Sequence, residues 1–301
     1  MKSLETLRKS MVVTDELHSL VKTMKALAGV NLRQYERAAQ AIDEYESTIE
    51  AGLQVALQYV PEPSAPKRGS RRIGALVFGS DQGMCGPLND RIVSHANRAL
   101  GKFSRHRDEQ TILAVGLRAA DRLRSLGYTI EQVFEVPSSM AAVGQVVHEV
   151  LGKIQEWYLQ RGIEVIVLFY CQALAVPMFR PRGIRLLPVD LEWVRRLKAR
   201  PWPSKVLPTF TMEKTQLFQS LIREYLFASL FRALAQSLAS ENASRLAAME
   251  VADRNIEERS NVLIADFRRC REEAITSELL DLITAFEALT SLGNKHPGSV
   301  K

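Results

Sequence analysis

Between Thr209 and Leu292 the chain has neither glycine nor proline, a gap of 84 residues. Nearly all of that stretch reads as helix, and at a rise of about 1.5 Å per residue it would extend roughly 125 Å. Helices in globular proteins average about 11–12 residues, so the segment is expected to project rather than form a core element, with its apolar stripe covered by something else. That suggests a mechanical or scaffolding part more than an enzyme pocket. Cysteine is scarce: Cys85, Cys171 and Cys270 show no CxxC or Cys/His spacing, which argues against a zinc site and a disulfide framework and suggests a reducing compartment. His18, His95, His106, His148 and His296 also lack ligand spacing and read as incidental, so no metal and no cofactor is expected.

Long apolar runs are missing too. The most apolar one, Ile163 to Gln172, is too short and too interrupted to span a bilayer. The first residues, Met1 to Arg8, are charged and carry no apolar h-region, so no signal peptide is expected. Membrane association should then run through a partner, without direct insertion. Aromatics make up only 7%, and the basic residues interleave with Asp and Glu, so nothing marks a nucleic-acid binder.

What is present is a soluble-type composition, 46% hydrophobic and 25% charged, with a net charge of +6 that favours acidic partners of any kind. Residues 1–60 read as a long N-terminal helix. Its seam follows Leu4, Leu7, Met11, Leu17, Val21, Met24, Ala28, Leu32, Tyr35, Ala39, Ile42 and Ile49, mostly at three- and four-residue steps. Gly29 and Gly52 each lower helix propensity by about 1 kcal/mol relative to alanine without ending the helix. Residues 61–72, rich in proline and basic side chains, form a linker.

From residue 73 to 208 the period changes. Short β-branched runs at Ile73–Gly79, Thr111–Gly116 and Ile163–Tyr170 alternate with helical stretches at Pro87–Leu100, Leu117–Leu126 and Ala141–Leu159. This alternation predicts βαβ crossovers and a small Rossmann-like α/β domain with a mostly parallel sheet. Arg180 to Pro208 reads as irregular, with a last edge strand at Ile184–Val189 followed by a loop. Residues 209–292 form the C-terminal helix. Its later half carries a coiled-coil seam at Met249, Ala252, Ile256, Leu263, Phe267, Cys270 and Ala274, which slips by one residue and continues as Ile275, Leu279, Leu282, Phe286 and Leu289. Residues 293–301 read as a flexible tail. The economical architecture is α/β with a long antiparallel coiled coil of the two terminal helices.

The loop Ser80-Asp-Gln-Gly-Met-Cys-Gly has neither GxxxxGK[ST] nor GxGxxG spacing, so it reads as a tight strand-to-helix turn rather than a phosphate cradle. Cys85 has no histidine assignable to it as the base of a nucleophile.

Several motifs together resemble one family. Leu20-Val-Lys-Thr-Met-Lys-Ala-Leu-Ala-Gly-Val-Asn-Leu-Arg33 resembles the N-terminal helix of F-type rotary ATP synthase gamma subunits. Ser80-Asp-Gln-Gly-Met-Cys-Gly-Pro-Leu-Asn89 is similar to the family's Ser-Asp-Arg-Gly-Leu-Cys-Gly-Gly-Leu-Asn loop. Ser240 to Glu250 and Arg269 to Leu279 are similar to its C-terminal signature. The departures are Gln82, Pro87, Glu272, Asn31, an acidic stretch from Met11 to Leu17, and about a dozen residues past the family's usual end. They resemble a divergent branch such as the alternative bacterial sodium- or proton-translocating type.

The resemblance implies a non-catalytic shaft inside a hexamer of alpha and beta subunits, with epsilon and the membrane c-ring as further partners. It places the chain peripherally on the cytoplasmic face of a bacterial inner membrane. It also implies that Met24, Lys25, Arg269, Arg271, Glu272, Thr276 and Glu278 contact the beta subunit. Arginine suits an acidic loop because its planar fork can pair bidentately with carboxylates. The plainer readings are that a Lys or Arg on a long helix is a solvated face and that Met24 packs in the seam. The rival identities are a coiled-coil scaffold with a Rossmann-like head and an enzyme whose α/β domain binds a nucleotide.

Overall fold

A computed structural model describes residues 3–59, 72–103, 107–202, 204–206 and 208–293. The elements are α1 (Leu4–Ala56), β1 (Ile73–Phe78), α2 (Leu88–Phe103), a 3-10 turn (Arg107–Glu109), β2 (Gln110–Val115), α3 (Leu117–Ser125), β3 (Ile130–Phe134), α4 (Met140–Gln160), β4 (Val165–Ala173), β5 (Phe179–Leu187), α5 (Leu191–Ala199) and α6 (Lys214–Gly293). The fold is mixed α/β and mostly helical. One five-stranded sheet has the order β3-β2-β1-β4-β5, parallel except for the antiparallel edge strand β5. Of the expected linker 61–72 only Arg72 is described, and the expected tail lies outside the described residues apart from Gly293.

All six residues of β1 are buried, as expected for a central parallel strand covered on both faces. On one face Leu76 and Phe78 join Leu168, Val147, Ile154 and Trp157 with Leu32, Tyr35, Leu230 and Leu234. On the other, Ala75 and Val77 meet Ile92, Ala96, Ala119 and Leu123 of α2 and α3. Gly74 leaves room for Trp157 against the strand, since a Cβ there would sit 2.5 Å from the indole.

Three local expectations fail. Strand β3 was not foreseen, because Ile130-Glu-Gln-Val-Phe is an edge strand that is only partly buried and does not alternate cleanly. The edge strand β5 begins at Phe179 rather than Ile184, its pairing with β4 running from Ala173–Phe179 onward. Residues expected as a loop form α5, capped where the Asp190 carboxylate accepts from the Glu192 amide at 3.0 Å; its Val194 and Leu197 pack on Ile49, Leu53 and Ala228.

Helix α6 starts at Lys214 and not at Thr209, because Glu213 caps it. The Glu213 carboxylate accepts from the Gln216 amide at 2.8 Å, and bonds from the Thr215 and Gln216 amides hold its carboxyl below the usual carboxylate range. The larger correction concerns burial. From Leu226 to Ala248 no residue of α6 is exposed, so this part is a core element and does not project. It is hydrophobic or small nearly all round, the composition of a buried helix.

By contact density the chain forms two compact units, Lys25–Ala248 and Met1–Met24 with Met249–Lys301. In the first, α1 and α6 run antiparallel: Tyr45 donates to Glu224 (2.7 Å), Arg232 pairs with Asp43 (3.3 Å) and with Glu46, and Gly52 faces Leu221. In the second they meet at His18 and Asp253, whose Nε2 and Oδ1 lie 3.0 Å apart. Leu17 is 48% exposed, so the seam passes through His18, and this histidine is not incidental. The alternating three- and four-residue step also runs through Thr14, Lys25 and Glu46, each at least half-buried.

Candidate partner-contact surface

At the carboxyl ends of β1 and β4, where the strand order reverses, an open α/β sheet would ordinarily receive a ligand. Here α6 fills that position. Ser244 Oγ donates to the Cys85 carbonyl at 2.6 Å, and Ser240 Oγ to the Cys171 carbonyl at 3.0 Å. The loop after β1 is tied down from within. Ser80 and Asn89 exchange two hydrogen bonds, and the Asp81 carboxylate accepts from the Leu117 amide (2.8 Å) and the Val136 amide (2.7 Å). Gly116, at φ +104°, lets its backbone pass within contact of Ser80, which a Cβ would block.

The side chains at this junction are poor nucleophiles. Burial pushes the Cys85 thiol up and the Cys171 thiol to about 12, and only the thiolate attacks. Burial also raises the Glu241 carboxyl, opposed by Arg245, whose Nη2 lies 2.7 Å from Glu241 Oε1. Among the described residues no cluster of His, Cys, Asp and Glu could hold a metal. No helix there is long and apolar enough to cross a membrane.

The expected contact residues lie elsewhere, and they do not form one patch. Met24 and Lys25 are half-buried near the middle of α1. Arg271 is 18 residues along α6 from Asp253, and Met24 is six along α1 from His18. For helices meeting at that pair in antiparallel sense, Met24 and Arg271 are about 36 Å apart.

Arg269 to Glu278 share about 14 Å of α6. At 100° per residue Arg271 and Glu278 fall on one side with Ile275, Leu282 and Phe286, while Arg269 and Thr276 fall on the other with Leu280 and Ile283. Arg269, Glu272, Glu273, Thr276, Ser277 and Leu280 line a shallow groove. Arg269 reaches Asp266 at 3.1 Å, and the Thr276 hydroxyl is turned inward onto the Glu272 carbonyl at 2.8 Å.

The expectation of a continuing seam past Ala274 is corrected here. Ile275, Leu279, Leu280, Leu282 and Ile283 are all between 48% and 67% exposed, on both sides of the helix at once. Leu280 and Ile283 had no place in the seam read from the sequence, although their apolar character between Leu279 and Phe286 was visible.

A family model described as ATP synthase matches residues 3–289. The ATP synthase gamma chain of Heliobacterium modesticaldum is 26% identical over 275 residues, covering 90% of this chain and 93% of its own. That of Beijerinckia indica subsp. indica is 29% identical over 297 residues, covering 96% of this chain and all of its own. Among solved structures, a chain of the Euglena gracilis mitochondrial ATP synthase (OSCP/F1/c-ring, rotational state 3) aligns over 99% of this chain and 97% of that one, with a TM-score of 0.65 and 18% identity. A chain of the rotor of the same enzyme aligns with a TM-score of 0.62 and 17% identity over 90% of this chain and 98% of that one. These structures share the fold described above, and with a match running over nearly the whole sequence the chain belongs to the ATP synthase family, on its gamma-chain branch.

Proposed function

We propose that this chain is the central-stalk rotor subunit of a rotary F-type ATP synthase. It couples proton or sodium-ion flow through a membrane c-ring to ATP synthesis or hydrolysis on a surrounding hexamer of alpha and beta subunits. The observation that carries this reading is the end of α6. There large apolar side chains are exposed on both sides of one helix, interleaved with Arg, Glu and Asp. A partner lying on one face would leave the other apolar face in water; a partner that encircles the helix covers both.

The helix does not carry the same side chains all round, so turning it shows each beta subunit a different surface. Each nucleotide site is then biased among its states by the difference in contact energy. Arg271 and Glu278 act on one side, Arg269, Glu272 and Thr276 on the other, and Met24 and Lys25 make a separate contact further along. Glu272 serves as an acceptor only, so its partner there must donate. The chain itself supplies no catalytic group. The functional division is an N-terminal segment 1–60 built on α1, a linker 61–72, an α/β domain 73–208 that meets epsilon and the c-ring, a C-terminal segment 209–292 built on α6 and a tail 293–301. The complex sits peripherally on the cytoplasmic face of a bacterial membrane.

The test is an ATPase assay on co-expressed alpha and beta subunits, with and without this chain, after size-exclusion chromatography. The expected result is co-elution near the mass of the hexamer plus one chain, with turnover lowered by Arg271→Glu. A chain that elutes alone or as a homodimer and leaves turnover untouched would replace the rotor with a scaffold.

A further inference from the structure

Near its N-terminus α1 meets α6 with the less apolar of two adjoining faces. The residues withdrawn from solvent there include Thr14, His18 and Val21. One position before each stand Val13, Leu17 and Leu20, all between 48% and 55% exposed. At about 100° per residue the two sets lie about 100° apart around the helix. A slip of one residue in the seam would therefore press three large apolar side chains on α6 in place of a threonine, a histidine and a valine. Burial of apolar surface alone favours that slipped arrangement.

What opposes it is the polar contact at His18. Its Nε2 lies 3.0 Å from Asp253 Oδ1, and the two side chains are only 27% and 22% exposed. Counting outward from this pair in antiparallel sense, Val21 falls level with Met249 on one side, and Leu7 with Leu263 on the other. All four are buried, so Asp253 stands between apolar layers. In the slipped arrangement Leu17 would replace His18, and the carboxylate would face a leucine where it now has the imidazole. Burying a carboxylate without its partner costs more than the leucine gains. A polar residue at one seam position is a known means of fixing how two helices pair, at some cost in stability.

We propose that His18 and Asp253 form a facing lock, which chooses the face that α1 presents to α6 and keeps Val13, Leu17 and Leu20 on the outside. Both are positioning residues. The lock goes beyond the rotor reading, because it concerns how two helices of one chain pair and operates in the free chain.

The test is disulfide trapping in the full chain carrying Cys270→Ser, which removes the accessible thiol. Val21→Cys with Met249→Cys reports the observed facing, and Leu20→Cys with Met249→Cys the slipped one. With His18 and Asp253 in place, the first pair should oxidise about tenfold faster than the second. Replacing both by leucine should lower that ratio at least about tenfold, and should slow maleimide labelling of Leu20→Cys by a similar factor. His18→Gln keeps a donor for Asp253 and should preserve the ratio. Circular dichroism checks that each variant is folded. A ratio and a labelling rate that the double leucine variant leaves within about twofold of the parent overturn the proposal and assign the facing to the winding of the helix as a whole.

Discussion

Two stretches of α6 have the same local grammar and opposite environments. From Leu226 to Ala248 no residue is exposed, while from Arg268 to Glu287 only Cys270 and Ala274 escape exposure. Neither stretch contains glycine or proline. The buried stretch is dominated by Ala and Ser between leucines, which lets the helix backbone approach the sheet closely, as the serine bonds to Cys85 and Cys171 require. The exposed stretch carries Leu, Ile and Phe among charged residues. Large apolar side chains occur in both stretches, so by themselves they do not mark the core of this helix; the small residues between the leucines do. One stretch is built for packing within the chain and the other for covering by something else.

Breaking the buried stretch should cost most where a charge would be stranded. Glu241→Ala leaves Arg245, whose side chain is 11% exposed, without its carboxylate, and unfolding stability is expected to fall by about 3–5 kcal/mol in urea titrations. Leu230→Ala, at a fully buried site, should cost about 2–5 kcal/mol by the same measurement. Leu282→Ala, at 67% exposure, should change stability by no more than about 0.5 kcal/mol. If the two leucines cost the same, the contrast between the stretches is wrong.

Cysteine reactivity sharpens the contrast without mutation. Burial raises Cys85 and Cys171, so thiolate is scarce at neutral pH and raising the pH toward about 12 would be needed to expose it at Cys171. In the native chain Cys270 should react with a thiol reagent within minutes, and the other two only after denaturation. The His18–Asp253 pair is expected to be weak as well. With side chains 27% and 22% exposed, a double-mutant cycle with alanine should give a coupling of about 1 kcal/mol or less.

How far the sequence could be read depended on how local the cause was. The strands β1, β2 and β4 and the helices between them were legible, because β-branched runs and amphipathic stretches carry their own period. The short helix α5 was not, since two prolines flank it and its cap is the single residue Asp190. In the seam of α1 the apolar positions were legible, whereas Thr14, His18, Lys25 and Glu46 were passed over because polar side chains do not announce burial. Of the surface on α6, the residue types were legible and their sides were not. Arg271 and Thr276 read as one patch in the sequence and stand on different flanks of the helix.

The sequence by itself determined that a long helix lies at each end of the α/β region, the alternation of strands and helices, and the family motifs, since each depends on residues within a few positions of one another. Only the tertiary structure decided that Leu226 to Ala248 is core, that α6 rather than a ligand fills the crevice between β1 and β4, and that His18 takes the place of Leu17 in the seam. The physical reason is that helix formation is set by neighbours along the chain, while burial is set by whatever surface arrives from more than a hundred residues away, as Cys85 does at Ser244.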